Sequence, residues 1–441
     1  MTRSFPRFLV LACLAAPSAF AQTPPAPAPR LGSLVDGLYP ALEVLYKDLH
    51  EHPELAFQEK RTAAKLAEQM RTMGFEVTEG VGRTGLVAIY RNGTGPTVLV
   101  RTELDALPME EKTGLSYASK AKAQWNGRET FVAHSCGHDL HMTGWVGAAR
   151  ALLELKNEWH GTLMFVAQPA EEIVSGAKAM IADGLFTRFP KPDLAFALHT
   201  GVGPHGFINY RAGPITSASN GLTITFKGRG GHGATPDKTI DPVAMGARFV
   251  TDVQQVVSRE KDPAEFGVIT IGSFQAGTVG NIIPDSALLQ GTIRSFKPEV
   301  RRKLVEGTRR IALASAQMAG APEPVIQIDE GASAVINDSA LTQRTVAALK
   351  AQFGADKIRE VGPTPASEDF SDFGDAGIPS MFFFIGTSDP KAVAEAQKGG
   401  KPIPVNHSPY FSPMPEPSIK TAVQAMVTAV LSAAGTASPR S

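Results

Sequence analysis

The chain has 441 residues, 43% hydrophobic and 20% charged, with 43 lysines and arginines balanced by 43 aspartates and glutamates. Ordinary globular composition without a long basic run excludes an electrostatic footprint for nucleic acid, and no apolar run reaches the roughly 20 residues that cross a bilayer. Of the two cysteines, Cys13 falls in a leader-like segment, so Cys136 has no partner for a disulfide framework.

Arg3 and Arg7 precede a short apolar run at 8–16, and Ala19-Phe20-Ala21 has small-x-small spacing. This predicts a signal peptide over 1–21 and an exported protein, periplasmic or secreted, whose mature form begins at Gln22. N-terminal sequencing of exported material that found Met1 intact would reject that expectation. The Pro-rich stretch 22–30 reads as an extended linker. Helical spacing follows over 31–50 and 57–73, the second run stopped by Gly74. Short apolar runs at 85–90, 97–101, 163–168 and 194–199 read as strands, with helices at 142–155 and 176–183. Strands alternating with helices predict a layered α/β catalytic domain with a mostly parallel sheet.

The pattern changes at 217. Strand 222–227, helix 242–259, strands 268–274 and 287–296, helix 299–318 and strand 325–329 make β-α-β-β-α-β, the split βαβ arrangement of ferredoxin-like α+β domains. Helix 339–353, strand 380–385 and helix 418–433 then resume the first pattern. A small lid domain, 217–331, is therefore expected to be inserted between two parts of a larger one, 31–216 and 332–441.

Within 133–141, three histidines, a cysteine and an aspartate fall together: His134, Cys136, His138, Asp139 and His141. Thiolate and imidazole suit zinc and its neighbours. A lone Cys-x-His would instead suggest a buried free cysteine beside surface histidines. Glu171 and Glu172 follow a strand end, where open α/β sheets bind ligands. Adjacent carboxylates repel unless a cation lies nearby, and one can then hold metal while the other moves a proton. Taken alone, the pair also suits a solvated helix N-terminus. His199 ends another strand, and His407 lies in a Pro-rich loop far along the chain. Glycines flank His232 at 230, 231 and 233, implying close backbone approach and a hinged lid, without the lysine or spacing of a phosphate loop.

In this order the segments resemble the two-metal metallopeptidase family of aminoacylases and carboxypeptidases. They are most similar to its amidohydrolase branch of hippurate hydrolases, N-acyl-amino-acid aminoacylases and indole-acetyl-amino-acid hydrolases. The marks are His50-Glu51-His52-Pro53-Glu54, Leu104-Asp105-Ala106-Leu107-Pro108, Cys136-Gly137-His138-Asp139, Pro169-Ala170-Glu171-Glu172, Gly230–Gly233, Asn281–Asp285 and Ser367-Glu368-Asp369-Phe370. The resemblance covers about 38–432, nearly the whole mature chain. The resemblance implies two divalent ions, zinc first and manganese, cobalt or nickel as alternatives, held by Cys136, His138, Glu172, His199 and His407, with Cys136 bridging. It implies Glu171 as general base, Asp105 orienting a ligand, His232 steadying the oxyanion, and Asn281 and Arg294 holding substrate. Glu103 stands where the branch usually carries aspartate, which leaves its role open.

The activity implied is hydrolysis of N-acyl amino acids to a carboxylic acid and a free amino acid. The substrate is a small molecule, with neither nucleic acid nor membrane as partner, and the protein is expected to be a homo-oligomer joined through the lid. Two alternatives remain at this level. One is a dipeptidase or carboxypeptidase of the same fold. The other is a periplasmic binding protein without turnover, disfavoured because Glu171 and all five ligands are present together.

Overall fold

The computed structural model describes residues 28–436, so the expected leader and the linker as far as residue 27 lie outside the described residues. Helix α1 (Ala28–Glu51) begins three residues inside the stretch assigned to the linker, a correction to the composition-based reading. Helix α2 (Lys60–Thr72) and strands β1 (Glu76–Val81), β2 (Gly85–Asn92) and β3 (Thr97–Glu103) follow. Next come α3 (His138–Glu154), β4 (Trp159–Gln168), α4 (Gly176–Ala182), β5 (Leu194–Pro204) and β6 (Ile208–Tyr210).

The lid comprises β7 (Ala218–Lys227), α5 (Pro242–Gln255), β8 (Gly267–Ala276), β9 (Ser286–Ser295), α6 (Pro298–Met318) and β10 (Val325–Ile328). The chain returns through α7 (Ser339–Phe353), β11 (Ile358–Glu360), β12 (Ser380–Ser388) and α8 (Pro415–Ala433).

The large sheet runs β1-β2-β4-β3-β5-β12-β6-β11, and its central strands β4, β3, β5 and β12 are mutually parallel. Helices α1, α2, α3, α7 and α8 cover one face, packing Leu49, Leu66, Trp145, Phe165 and Val423. Helix α4 and the segment 370–378 cover the other, around Val87, Met164, Phe370 and Phe382. Each large side chain buried this way contributes about 1.5–3 kcal/mol. Stability therefore resides in the layers, and the loops at the carboxyl ends of the strands are left to carry chemistry.

The second sheet runs β8-β9-β7-β10 and is antiparallel throughout. With α5 and α6 packed on it around Phe226, Phe249 and Leu304, it is the ferredoxin-like lid. No helix among the described residues is long and apolar enough to cross a membrane.

Candidate metal centre

The carboxyl edge of the large sheet gathers residues from five places in the chain. Asp105 follows β3, Glu171 and Glu172 follow β4, and His199 lies on β5. Cys136 and His138 sit where α3 begins, and His407 occupies the loop before α8. Gly137, between Cys136 and His138, has φ +91. A Cβ there would lie 2.7 Å from Thr200 Oγ1, so only glycine lets the thiol and the imidazole turn toward one point. His407 is held at φ +67, with its amide donating to Ser135 O at 2.8 Å, while Asn406 Nδ2 donates to Cys136 O at 2.9 Å. The distant loop is thus fastened to the Cys136 backbone.

Two triples of donor atoms share the Cys136 sulfur. One is Cys136, His138 and His199; the other is Cys136, Glu172 and His407; within each, the atoms lie within 4.8 Å of one another. Cys136 Sγ is 3.4 Å from His199 Nε2, and His407 Nε2 is 3.3 Å from Glu172 Oε2. His138 Nε2 lies 3.8 Å from Glu171 and 4.0 Å from Glu172. His138 Nε2 and Glu172 Oε1 are buried with no hydrogen-bond partner, an arrangement a cation would complete.

The opposite ring nitrogens are already committed: His138 Nδ1 to Asp105 O at 2.7 Å and His199 Nδ1 to Thr200 O at 2.7 Å. That is the usual support for a metal-binding imidazole. Asp105 also accepts from the Glu172 amide at 2.9 Å. The residues present therefore fit a pair of divalent cations, which Cys136, His138, Glu172, His199 and His407 would hold.

Electrostatics agree. Burial alone would lower the His138 pKa, but the Asp105 hydrogen bond and the charges of Glu103 and Glu172 raise it to about 10. A cation bound here would compete with that proton. Burial first, then Glu172 and Glu171, push the Cys136 thiol well up. Glu172 is raised to about 7, chiefly by burial. Each metal ion must displace such protons, so binding should tighten with pH by roughly tenfold per unit for every proton released. Calorimetric titration of the metal-free protein with Zn2+ between pH 5.5 and 8 checks this, and a flat profile would count against these ligands. Burial, reinforced by His141, holds His199 neutral and ready to donate its lone pair.

Two further donor triples already have a cation beside them in Arg101. Glu171, Glu368 and Asp369 surround Arg101, whose Nη2 reaches Glu368 Oε1 at 2.7 Å and Asp369 Oδ1 at 3.0 Å. The triple of Glu103, His138 and His141 is served by the same guanidinium, since Arg101 also pairs with Glu103. Glu103 in turn accepts from His141 Nδ1 at 3.0 Å, and His141 Nε2 accepts from the Thr200 amide at 2.8 Å. This gives Glu103 its place: through His141 it fixes the backbone that carries His199.

The sequence reading missed this relay, along with Arg101 and Asn406. An arginine within a buried strand, two residues before an acid, was the available signal. Arg294 lines a cavity of about 1020 Å³ that also meets Cys136, Glu171, Glu172, His199 and His407. His232 lies on a two-stranded ribbon of the lid and Asn281 in the turn beside it, both exposed, and neither lines that cavity. The neighbouring glycines serve the ribbon itself: a Cβ on Gly230 would meet Ile283 O at 2.6 Å.

The model of peptidase family M20/M25/M40 matches residues 99–432. The chain belongs to that family. M20 relatives include the hippurate hydrolase of Campylobacter jejuni, 36% identical over 75% of this chain and 84% of that one. The N-acetylcysteine deacetylase of Bacillus subtilis is 34% identical over 78% of this chain and 87% of its own length. Thermostable carboxypeptidase 2 of Saccharolobus solfataricus is 35% identical over 78% and 85%.

Among solved M20-like structures, an aminohydrolase from methicillin-resistant Staphylococcus aureus superposes with TM-score 0.81 at 30% identity, covering 92% of this chain and 99% of that one. A dinuclear metal-binding M20 peptidase from Bacillus subtilis gives 0.72 at 28% identity, covering 90% and 98%. This M20 protein is accordingly a metal-dependent amidohydrolase with two divalent ions.

Proposed function

We propose that the protein hydrolyses N-acyl amino acids to a carboxylic acid and a free amino acid, with zinc as the resident metal. The observation that carries this reading is the pairing of Glu171 and Arg294 on one cavity. Glu171 is buried at the cavity wall beside the donor cluster, and Arg294 reaches the same space from the lid. The bound ions supply positive charge that polarises the amide carbonyl and acidifies water.

The chain's own residues do the rest. Burial, and then Glu368 and Glu172, raise Glu171 well above the ordinary carboxylate range, which suits a group that both takes and returns a proton. Glu171 accepts the proton of the attacking water and delivers it to the leaving amine nitrogen. Arg294 donates one nitrogen to Pro365 O at 2.9 Å and keeps its other donors for the α-carboxylate of the amino acid. His232 reaches the oxyanion once the lid closes, or from the lid of a second copy. The lid's exposed Val279 and Ile282, in and beside the ribbon that carries His232, favour pairing of copies there.

Carboxypeptidase action is the second reading, favoured by the 35% identity to a carboxypeptidase noted above. The test is amino-acid release by zinc-reconstituted protein from N-benzoylglycine, N-acetylcysteine, N-indole-acetyl amino acids, dipeptides and blocked longer peptides. The reading expects the acyl amino acids to be cleaved best. Peptides cleaved tenfold faster would move the assignment to carboxypeptidase. No turnover with both ions bound would leave a binding protein.

A further inference from the structure

One buried acid lies outside everything described so far. Glu59 is 0% exposed, and the groups meeting its carboxylate are the Ala170 amide at 2.9 Å and the Thr84 hydroxyl at 2.5 Å. It stands at the N-cap of α2, yet its side chain caps nothing there. Glu54 does that work from outside the helix, accepting from the Arg61 amide at 3.1 Å and the Thr62 amide at 2.8 Å. Glu59 is therefore free to turn toward the loop after β4.

That loop is unusual at the point Glu59 reaches. Ala170 has φ +51, a left-handed conformation that a residue with a Cβ enters only when its surroundings impose it. Its carbonyl accepts from both Ser175 and Gly176 at 3.2 Å. A Cβ on Gly176 would lie 1.5 Å from Pro169 O, so the turn is closed as tightly as glycine allows. One residue beyond Glu171, the Glu172 amide is held by Asp105. The amides on either side of Glu171 are thus each gripped by a buried carboxylate from another part of the chain. Taking an acid out of water without a cation beside it is costly, and a merely structural turn would not require it.

We propose that Glu59 is a positioning residue for amide hydrolysis: by holding Ala170 in its left-handed turn it sets where the Glu171 carboxyl points. The inference rests on Glu171 as the proton carrier. Displacing a reacting group by about an ångström costs on the order of 10²-fold, so the effect belongs in turnover rather than in binding.

The test uses the full-length zinc-loaded protein and whichever acyl amino acid of the panel the wild type cleaves fastest. Glu59→Met keeps the side chain's length but removes both acceptors. It should lower kcat by about 10- to 100-fold, with KM within about threefold and both ions retained. Glu59→Gln, whose amide oxygen still accepts from Ala170, should stay within about threefold of wild type. In a Glu171→Gln background, Glu59→Met should change the residual rate no further, because it acts through Glu171. Should Glu59→Met fail to fold, Thr84→Val removes the hydroxyl that steers the carboxyl and should lower kcat severalfold at unchanged KM.

Equal losses in the Met and Gln variants, loss of metal in proportion to activity, or additive losses with Glu171→Gln each overturn the proposal. Two failures can be told apart. If Glu171→Gln keeps normal turnover, the base assignment falls and this inference with it. If Glu171→Gln abolishes turnover and Glu59→Met does not, only the positioning role falls.

Discussion

Glu171→Gln is expected to lower turnover by about 10²–10⁴-fold while leaving metal content at the wild-type level. The amide matches the carboxyl in size and shape, so the cavity wall is preserved, but it neither accepts nor returns a proton. Glu171 is not needed for either of the donor triples that share Cys136, so both should survive its replacement. Glu172→Gln should show the reverse order of events. Its Oε2 faces His407 and its Oε1 is bare toward His138, so it belongs to the donor set, and metal should be lost first with activity following. Metal stoichiometry and steady-state rates on both variants separate the two roles. Stripping of metal by Glu171→Gln alone would exchange them, and normal turnover in Glu171→Gln would place the base elsewhere.

How much of this was legible in the sequence depends on the range of the interactions involved. Helix α7 was readable to the residue because its apolar stripe and caps are local. Helix α3 was expected to begin at 142 but begins at His138. Three of its first four residues, His138, Asp139 and His141, are buried polar groups, and a periodicity built on apolar side chains cannot register them. The helix expected over 242–259 is α-helical only to Gln255 and finishes as a π-turn over Val256–Glu260. Strands β6 and β11 were missed because three residues carry too little alternation to be seen, and their pairing is supplied by neighbours about 150 residues away.

The donors were legible by type: cysteine, histidine and glutamate at strand ends announce themselves. Their supports were not. Nothing in the spacing ties Glu59 to Ala170, 111 positions on, or Arg101 to Glu368, 267 positions on. Such partners are chosen by the fold, and a local pattern carries no trace of them.

Arg101→Met is expected to destabilise the protein by about 3–5 kcal/mol, the cost of removing one partner from a buried ion pair. Arg101 is 2% exposed, and its guanidinium is the cation shared by Glu103, Glu368 and Asp369, with Gln168 accepting from Nε at 2.9 Å. Methionine fills much of the volume, so the loss measures charge more than packing. The pH dependence identifies it. In the wild type, burial would raise Glu103, but Arg101 and then His141 hold it well below the usual carboxylate range. A depressed carboxyl contributes stability above its unfolded pKa of about 4.3 and loses it as pH falls through the folded value. In the variant the sign reverses. Without the cation, burial raises Glu103, which then folds protonated and unfolds ionised, joining Asp369, which burial holds above the usual carboxylate range even beside Arg101. Stability should then fall as pH rises from about 4 toward neutrality, where the wild type loses nothing from Glu103. The deficit should therefore be several-fold smaller in kcal/mol at pH 5 than at pH 8, read from denaturant midpoints in chelator so that ion binding stays out of the folding equilibrium. Arg101→Lys keeps the charge but not the fork that reaches three acids, and should fall between the two. A deficit that does not change with pH would mean that Arg101 matters for its volume alone, and that the acids around Glu171 are neutralised by something other than this guanidinium.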